Sequence, residues 1–160
     1  MLSSKEFSVG TLSDAKPFSL MLPRGGYEAT FLIGQIEGGP AAVFLGGNYN
    51  FVFFETSAAS NWAGLLIPNI RVEVDEASVF DPRSVYGKVG AVVRSGTEIV
   101  IYAKRDGSYG GLSKVTLETG LLEINPQLSA GFTKWQLVNG EGLEKRVLLE
   151  VDADKVETGN

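Results

Sequence analysis

Residues 27–55 read YEATFLIGQI, then EGGP, then AAVFL, then GGNY, then NFVFFE. Three apolar runs stand out: Tyr27 to Ile36, Ala41 to Leu45 and Asn50 to Glu55. Their β-branched and aromatic side chains predict strands. The separators Glu37-Gly38-Gly39-Pro40 and Gly46-Gly47-Asn48 carry turn chemistry. The stretch therefore predicts a three-stranded antiparallel meander.

This meander is unusual in two ways. No Lys or Arg lies between Arg24 and Arg71, and the charges in that span are Glu28, Glu37 and Glu55. Its strands also do not alternate apolar with polar. Phe31-Leu32-Ile33, Ala42-Val43-Phe44-Leu45 and Phe51-Val52-Phe53-Phe54 put apolar groups on both faces. Both faces must then be covered. A second sheet and loops of the same chain would do it. A second copy of the chain would also do it, giving a homo-oligomer through residues 27–55.

Outward from the meander the same grammar continues. Pro17 to Leu22 precedes it as a strand. Leu65-Leu66-Ile67 and Asn69 to Asp75 follow it around Pro68. Lys88 to Arg94 and Thr97 to Lys104 predict a hairpin turning at Ser95-Gly96, with Arg94 opposite Thr97 and Val92 opposite Ile99. Its middle is apolar on both faces. Leu112 to Glu118 and Leu121 to Ile124 are shorter candidates. Phe132 to Val138 pairs with Leu143 to Val151, where Val147, Leu149 and Val151 point one way and Glu144, Arg146, Glu150 and Asp152 the other. Leu148 interrupts that pattern. No Gly- and Pro-free stretch of 11 residues shows a helical apolar repeat.

The expectation is a single all-β domain over residues 1–160, an antiparallel β-sandwich or jelly roll of about ten strands. A closed β-barrel is the alternative. The ordered core should run from about 15 to 152, with 153–160 as a flexible C-terminal tail. At 160 residues and 17.1 kDa the chain is long enough for one core without staples.

Composition removes most chemistries. There are no histidines and no cysteines. That excludes a Ser-His-Asp triad, a thiol nucleophile, a disulfide framework and an imidazole or thiolate metal site. The formal net charge of −5 and pI near 4.8 argue against a nucleic-acid or anionic-membrane partner. No apolar run reaches the length of a membrane span. The N-terminus carries no signal-peptide pattern. The expected location is the cytoplasm, and a virion component assembled there fits the same facts.

Carboxylates are the strong acid–base groups that remain. Glu73 and Asp75 share a strand face with Arg71, a spacing that a glycan-active enzyme could use. The alternation Arg71-Val72-Glu73-Val74-Asp75 is also that of any half-exposed strand, and the solvated face is the simpler reading. Asp75, Glu76 and Asp81 could supply oxygens to Ca²⁺, but without EF-hand spacing. Residues 83–105 hold five cations against Glu98 alone. The following Asp106-Gly107-Ser108-Tyr109-Gly110-Gly111 could cradle an anion with its amides, yet it is no P-loop.

The sequence thus points to no catalytic residue, metal site or cofactor. The reading is a non-enzymatic assembly or binding module, a structural subunit by one version. The alternative is a small-molecule binder, with Phe44, Phe51, Phe53 and Phe54 facing an apolar pocket. Trp62 is the surface candidate for stacking a ring or glycan, and Trp135 the core one. Arg94, Lys104 and Arg105 are the basic ligand-contact candidates. A glycan-active enzyme is the third reading.

Overall fold

The computed structural model describes residues 8–16, 18–23, 30–36, 39–45, 51–56, 62–83, 88–96, 98–105, 112–117 and 128–156. The expected strand Leu121 to Ile124 and the loop 106–111 lie outside them.

The described residues form fourteen strands: β1 (Ser8–Thr11), β2 (Ser19–Pro23), β3 (Thr30–Ile36), β4 (Gly39–Leu45), β5 (Val52–Glu55), β6 (Ala63–Ile67), β7 (Ile70–Val74), β8 (Val79–Phe80), β9 (Val92–Ser95), β10 (Glu98–Arg105), β11 (Leu112–Thr116), β12 (Leu128–Phe132), β13 (Lys134–Asn139) and β14 (Arg146–Asp152). Ten of them follow one another in a long sheet, in the order β1-β6-β2-β3-β4-β5-β10-β9-β12-β8, and β11 joins it by pairing with β10 and β3. The other three form a second sheet, β14-β13-β7. The fold is a sandwich-like all-β arrangement. Among the described residues no closed barrel forms, and β1 and β8 end the long sheet. β11 does touch β3, but by the single pair Thr116–Gln35.

The meander forms as β3-β4-β5, and its register explains its composition. Ile67, Leu20, Leu32, Val43 and Phe53 stand opposite one another across five strands. All five belong to the main core. The reverse face carries Met21, Ile33, Ala42 and Leu66, covered by Leu12 from a 3-10 turn at Leu12–Asp14. Met21, Ile33 and Ala42 are fully buried within the one chain. The doubly apolar strands therefore report a sheet with a core on each side.

Four features depart from the sequence reading. First, β5 and β10 pair in parallel, Lys104 beside Val52 and Arg105 beside Phe53, so the long sheet is mixed. Partners distant in sequence leave no local pattern. Second, the β9–β10 hairpin closes one residue later than expected: Ser95 faces Glu98 and Ile101 faces Val92. Gly96, at φ +61°, takes the left-handed loop position that favours glycine. Third, β1 is a short, largely polar edge strand paired with β6 ahead of the expected core.

Fourth, the residues from 153 to 156 are not a tail. Ala153 is buried, and its amide donates to the Thr133 carbonyl at 2.7 Å. Asp154 ion-pairs with Lys88 and accepts from Thr133 Oγ1. Val156 packs on the main core. Ala153-Asp154-Lys155 has no apolar periodicity, so nothing local announces this docking.

The second sheet meets the first through its inner face. Trp135 stands opposite Val74 and Val151, and Leu137 opposite Val72 and Leu149. Trp135 and Leu137 are buried in the main core. At Leu148 the register of β14 slips against β13, a β-bulge. The bulge turns Val147 out of the inner row, where it is half exposed. The interruption at Leu148 in the sequence was its sign.

Candidate functional site

The sequence candidates do not gather at one place. Phe51 and Phe53 are buried at 1% and 2% exposure, inside the main core. Phe44 and Phe54 lie on the reverse face, because Phe54 follows Phe53 by one residue and alternation sends it the other way. There they meet Trp62, with ring centroids 5.1 Å apart for Phe44–Phe54, 5.8 Å for Phe54–Trp62 and 6.4 Å for Phe44–Trp62. Trp62 is 46% exposed. The four phenylalanines thus split between a core and a surface cluster.

The basic candidates are also separated. Arg94 lies opposite Ile99 at one end of the β9–β10 hairpin. Arg105 is six residues further along β10, roughly 20 Å at strand rise. Arg105 donates to Glu55 at 2.9 Å and lies 6.0 Å from the Phe53 ring centre. Lys104 between them is half buried, and its backbone amide donates to the Phe51 carbonyl at 2.8 Å. No anion site assembles from these three.

The acidic candidates serve the fold. Glu73 accepts from Lys145 Nζ at 2.5 Å and from Gln136 Nε2 at 2.9 Å, with Arg71 at 4.0 Å. The Lys145 and Gln136 hydrogen bonds hold its carboxyl below the usual value. A glycosidase acid needs the opposite shift. The Asp75 side chain accepts from the Ala77 amide at 3.0 Å, capping the 3-10 turn Glu76–Ser78. Asp81 folds back on Arg83, accepting from its amide and its guanidinium. Those guanidinium bonds hold the Asp81 carboxyl below its usual value. Asp75, Glu76 and Asp81 do not converge: among the described residues no group of three carboxylates could hold a metal ion. Nor does any buried side-chain nitrogen or oxygen there lack a partner.

The concave feature is one that the sequence did not single out. An open cleft of about 790 Å³ runs between the second sheet and the β4–β5 corner. Its walls are Leu45 and Phe51 on one side and Val74, Trp135, Leu149 and Val151 on the other, with Val156 at the C-terminal lip. Strand pairing puts Val74, Trp135 and Val151 on one face. Glu73, Gln136 and Glu150 occupy the reverse face in register and border the cleft at its rim. The alternation of Val72-Glu73-Val74 and of Leu149-Glu150-Val151 marked those inner faces. The gap between the sheets is set by tertiary packing and has no sequence signal.

The floor is rigid. Phe51 adopts φ +58°, a left-handed conformation costly for a side chain with a Cβ. Its amide donates to the Phe44 carbonyl at 2.7 Å, and its carbonyl accepts from Lys104. Its ring meets Trp135 edge-on at 6.2 Å. Trp135 in turn is tied by its indole nitrogen to the Gly90 carbonyl at 2.7 Å. The inner walls are apolar, and the polar lining groups Glu73, Asp75, Lys134, Gln136, Glu150, Asp152 and Lys155 lie at the rim.

Among the described residues, no helix is long and apolar enough to cross a membrane. No solved structure matches this chain. A protein of Sinorhizobium fredii (strain NBRC 101917 / NGR234), described as "Uncharacterized protein y4lG", is 48% identical over 148 residues, covering 92% of this chain and 91% of its own length. The family model described as "Uncharacterised protein y4lG" matches residues 9–159, a span that takes in both walls of the cleft. The chain therefore belongs to the y4lG family.

Proposed function

We propose that this protein is a non-enzymatic binding module whose inter-sheet cleft takes a small apolar ligand. One observation carries the reading. Val74, Leu149, Val151 and Val156 face the core side yet stay half buried, where a closed sandwich would bury them fully. The apolar surface that they leave lines a cleft whose volume falls in the range of ligand sites, about 300–1,000 Å³. The missing catalytic vocabulary fits the same reading.

The test uses Trp135 as reporter. In a Trp62→Phe background it is the sole indole. Titration with a neutral apolar probe such as decanol should change its emission, and Val156→Phe, which fills the lip without adding an indole, should weaken binding. No saturable change with decanol or with a charged amphiphile of the same chain length would end the proposal.

A second reading, assembly through the meander, draws on the aromatic cluster Phe44–Phe54–Trp62 at its surface. A dimer or trimer that persists on dilution and is weakened by Trp62→Ser supports it. A monomer at every concentration removes it.

A further inference from the structure

The walls of the cleft are apolar, and its rim is not. Four carboxylates border it, those of Glu73, Asp75, Glu150 and Asp152, against the ammonium groups of Lys134 and Lys155. Their compensation is uneven. Glu73 is matched by Lys145 and Arg71. Asp152 shares a loose 3.8 Å pair with Lys155. Among the described residues Asp75 and Glu150 have no cation within 4.0 Å and Lys134 has no anion, so the rim keeps two unmatched carboxylates against one unmatched ammonium. Asp75 is fixed in place by its bond from the Ala77 amide, so its charge stays at the rim.

We propose, resting on the cleft reading above, that the ligand is an amphipathic cation: an apolar body seated between the sheets, with an ammonium-type group at the acidic rim. The body is apolar because the walls present no spare hydrogen-bonding side chain. The one wall group with a donor, the Trp135 indole, already donates to Gly90. The head is cationic because rim charge next to apolar walls acts through a low-dielectric neighbourhood, where field lines are less screened than in water. The net charge of −5 on the chain adds long-range attraction of the same sign. An anionic amphiphile of equal length meets repulsion at the same rim.

Three probes of one chain length separate the terms: decyltrimethylammonium, decanol and decanoate, each below its micelle concentration and near neutral pH. Trp135 emission in the Trp62→Phe protein is the readout. The cation should bind roughly three- to tenfold tighter than decanol at low salt, with decanoate weakest, and the spread should narrow at high salt. In the isosteric double variant Asp75→Asn, Glu150→Gln, cation and alcohol should converge to within about twofold. Asn keeps the acceptor that caps the turn, and Glu150 is exposed, so the fold is retained and circular dichroism checks it. Decanoate binding as tightly as the cation, or a cation preference that survives in the double variant, overturns this inference and leaves the cleft reading standing. Failure of all three probes overturns both.

Discussion

Trp135 Nε1 donates to the carbonyl oxygen of Gly90 at 2.7 Å, across the boundary between the two sheets. Trp135 belongs to β13 of the second sheet, and Gly90 to the turn that leads into β9 of the long one. The bond is buried and pins the sheets at one height. Trp135→Phe keeps an aromatic ring but strands the Gly90 acceptor and leaves a void. Urea unfolding should show a loss of about 2–4 kcal/mol. A loss under about half a kcal/mol would mean that the sheets are held elsewhere.

Gly90 itself is irreplaceable on two counts. Its φ is +85°, and a Cβ there would meet the Phe51 ring at 2.9 Å and Val156 Cγ2 at 3.1 Å. Gly90→Ala therefore combines a left-handed alanine with overpacking against the cleft floor, at about 2 kcal/mol or more. The variant should also perturb Trp135 emission, since Phe51 lies against both residues. Native-like stability and emission together would show that the turn relaxes freely.

Glu73 sets an acid limb. Lys145, Gln136 and Arg71 lower its folded pKa below the ordinary 4.5. A depressed carboxyl contributes stability above its unfolded pKa and loses it as pH falls through the folded one. Stability should be level above about pH 5 in this respect and decline below about pH 4. Asp154, held down by Lys88, adds to the same limb. Glu73→Gln should flatten its share of the decline, and added salt should shrink it. An identical acid profile in wild type and variant would remove Glu73 from the account.

Not every large apolar group matters. Leu143 lies in the 3-10 turn Gly142–Glu144 and is fully exposed. Leu143→Lys should change stability by less than about 0.5 kcal/mol. A larger loss in thermal unfolding would reveal a contact beyond the single chain.

The strand identities were legible because burial on two faces leaves a simple mark: Phe51-Val52-Phe53-Phe54 cannot belong to a half-wet sheet. The pairing of β13 with β14 was legible for a similar reason, as runs joined by a Gly-containing turn, but the place of Val147 was not, because the bulge at Leu148 takes it out of the inner row. What stayed hidden was relational. The parallel contact of Arg105 with Phe53 links segments about fifty residues apart, and no pattern within either strand specifies the other. Trp135 was recognisable as a core residue, but not as the tie to Gly90. The cleft was least legible of all, because Val74 and Val151 read the same whether the opposing wall touches them or stands back. Val156, beyond the last alternating run, gave no sign.

Gly34 shows how closely the long sheet folds on itself. A Cβ there would lie 2.6 Å from the Thr116 carbonyl oxygen and 2.7 Å from Val115 Cγ1. Glycine lets β11 cross against β3. Gly34→Val should therefore split that contact and expose the core to protease near β11; a variant as resistant as wild type would show that the crossing tolerates a side chain.

The docking of residues 153–156 beneath Lys88 and Gly90 bears on how the protein is made. Val156 seals the edge of a core whose other parts were translated long before, and β13 must find β7 across about sixty residues. During synthesis the emerging chain holds its meander strands without the second sheet that shelters Trp135 and Phe51. The finished sandwich therefore needs residues 153–156 in place to cover this edge of its core. Contacts that join segments so distant in sequence form slowly, and until they form the inner faces of β4 and β5 meet water.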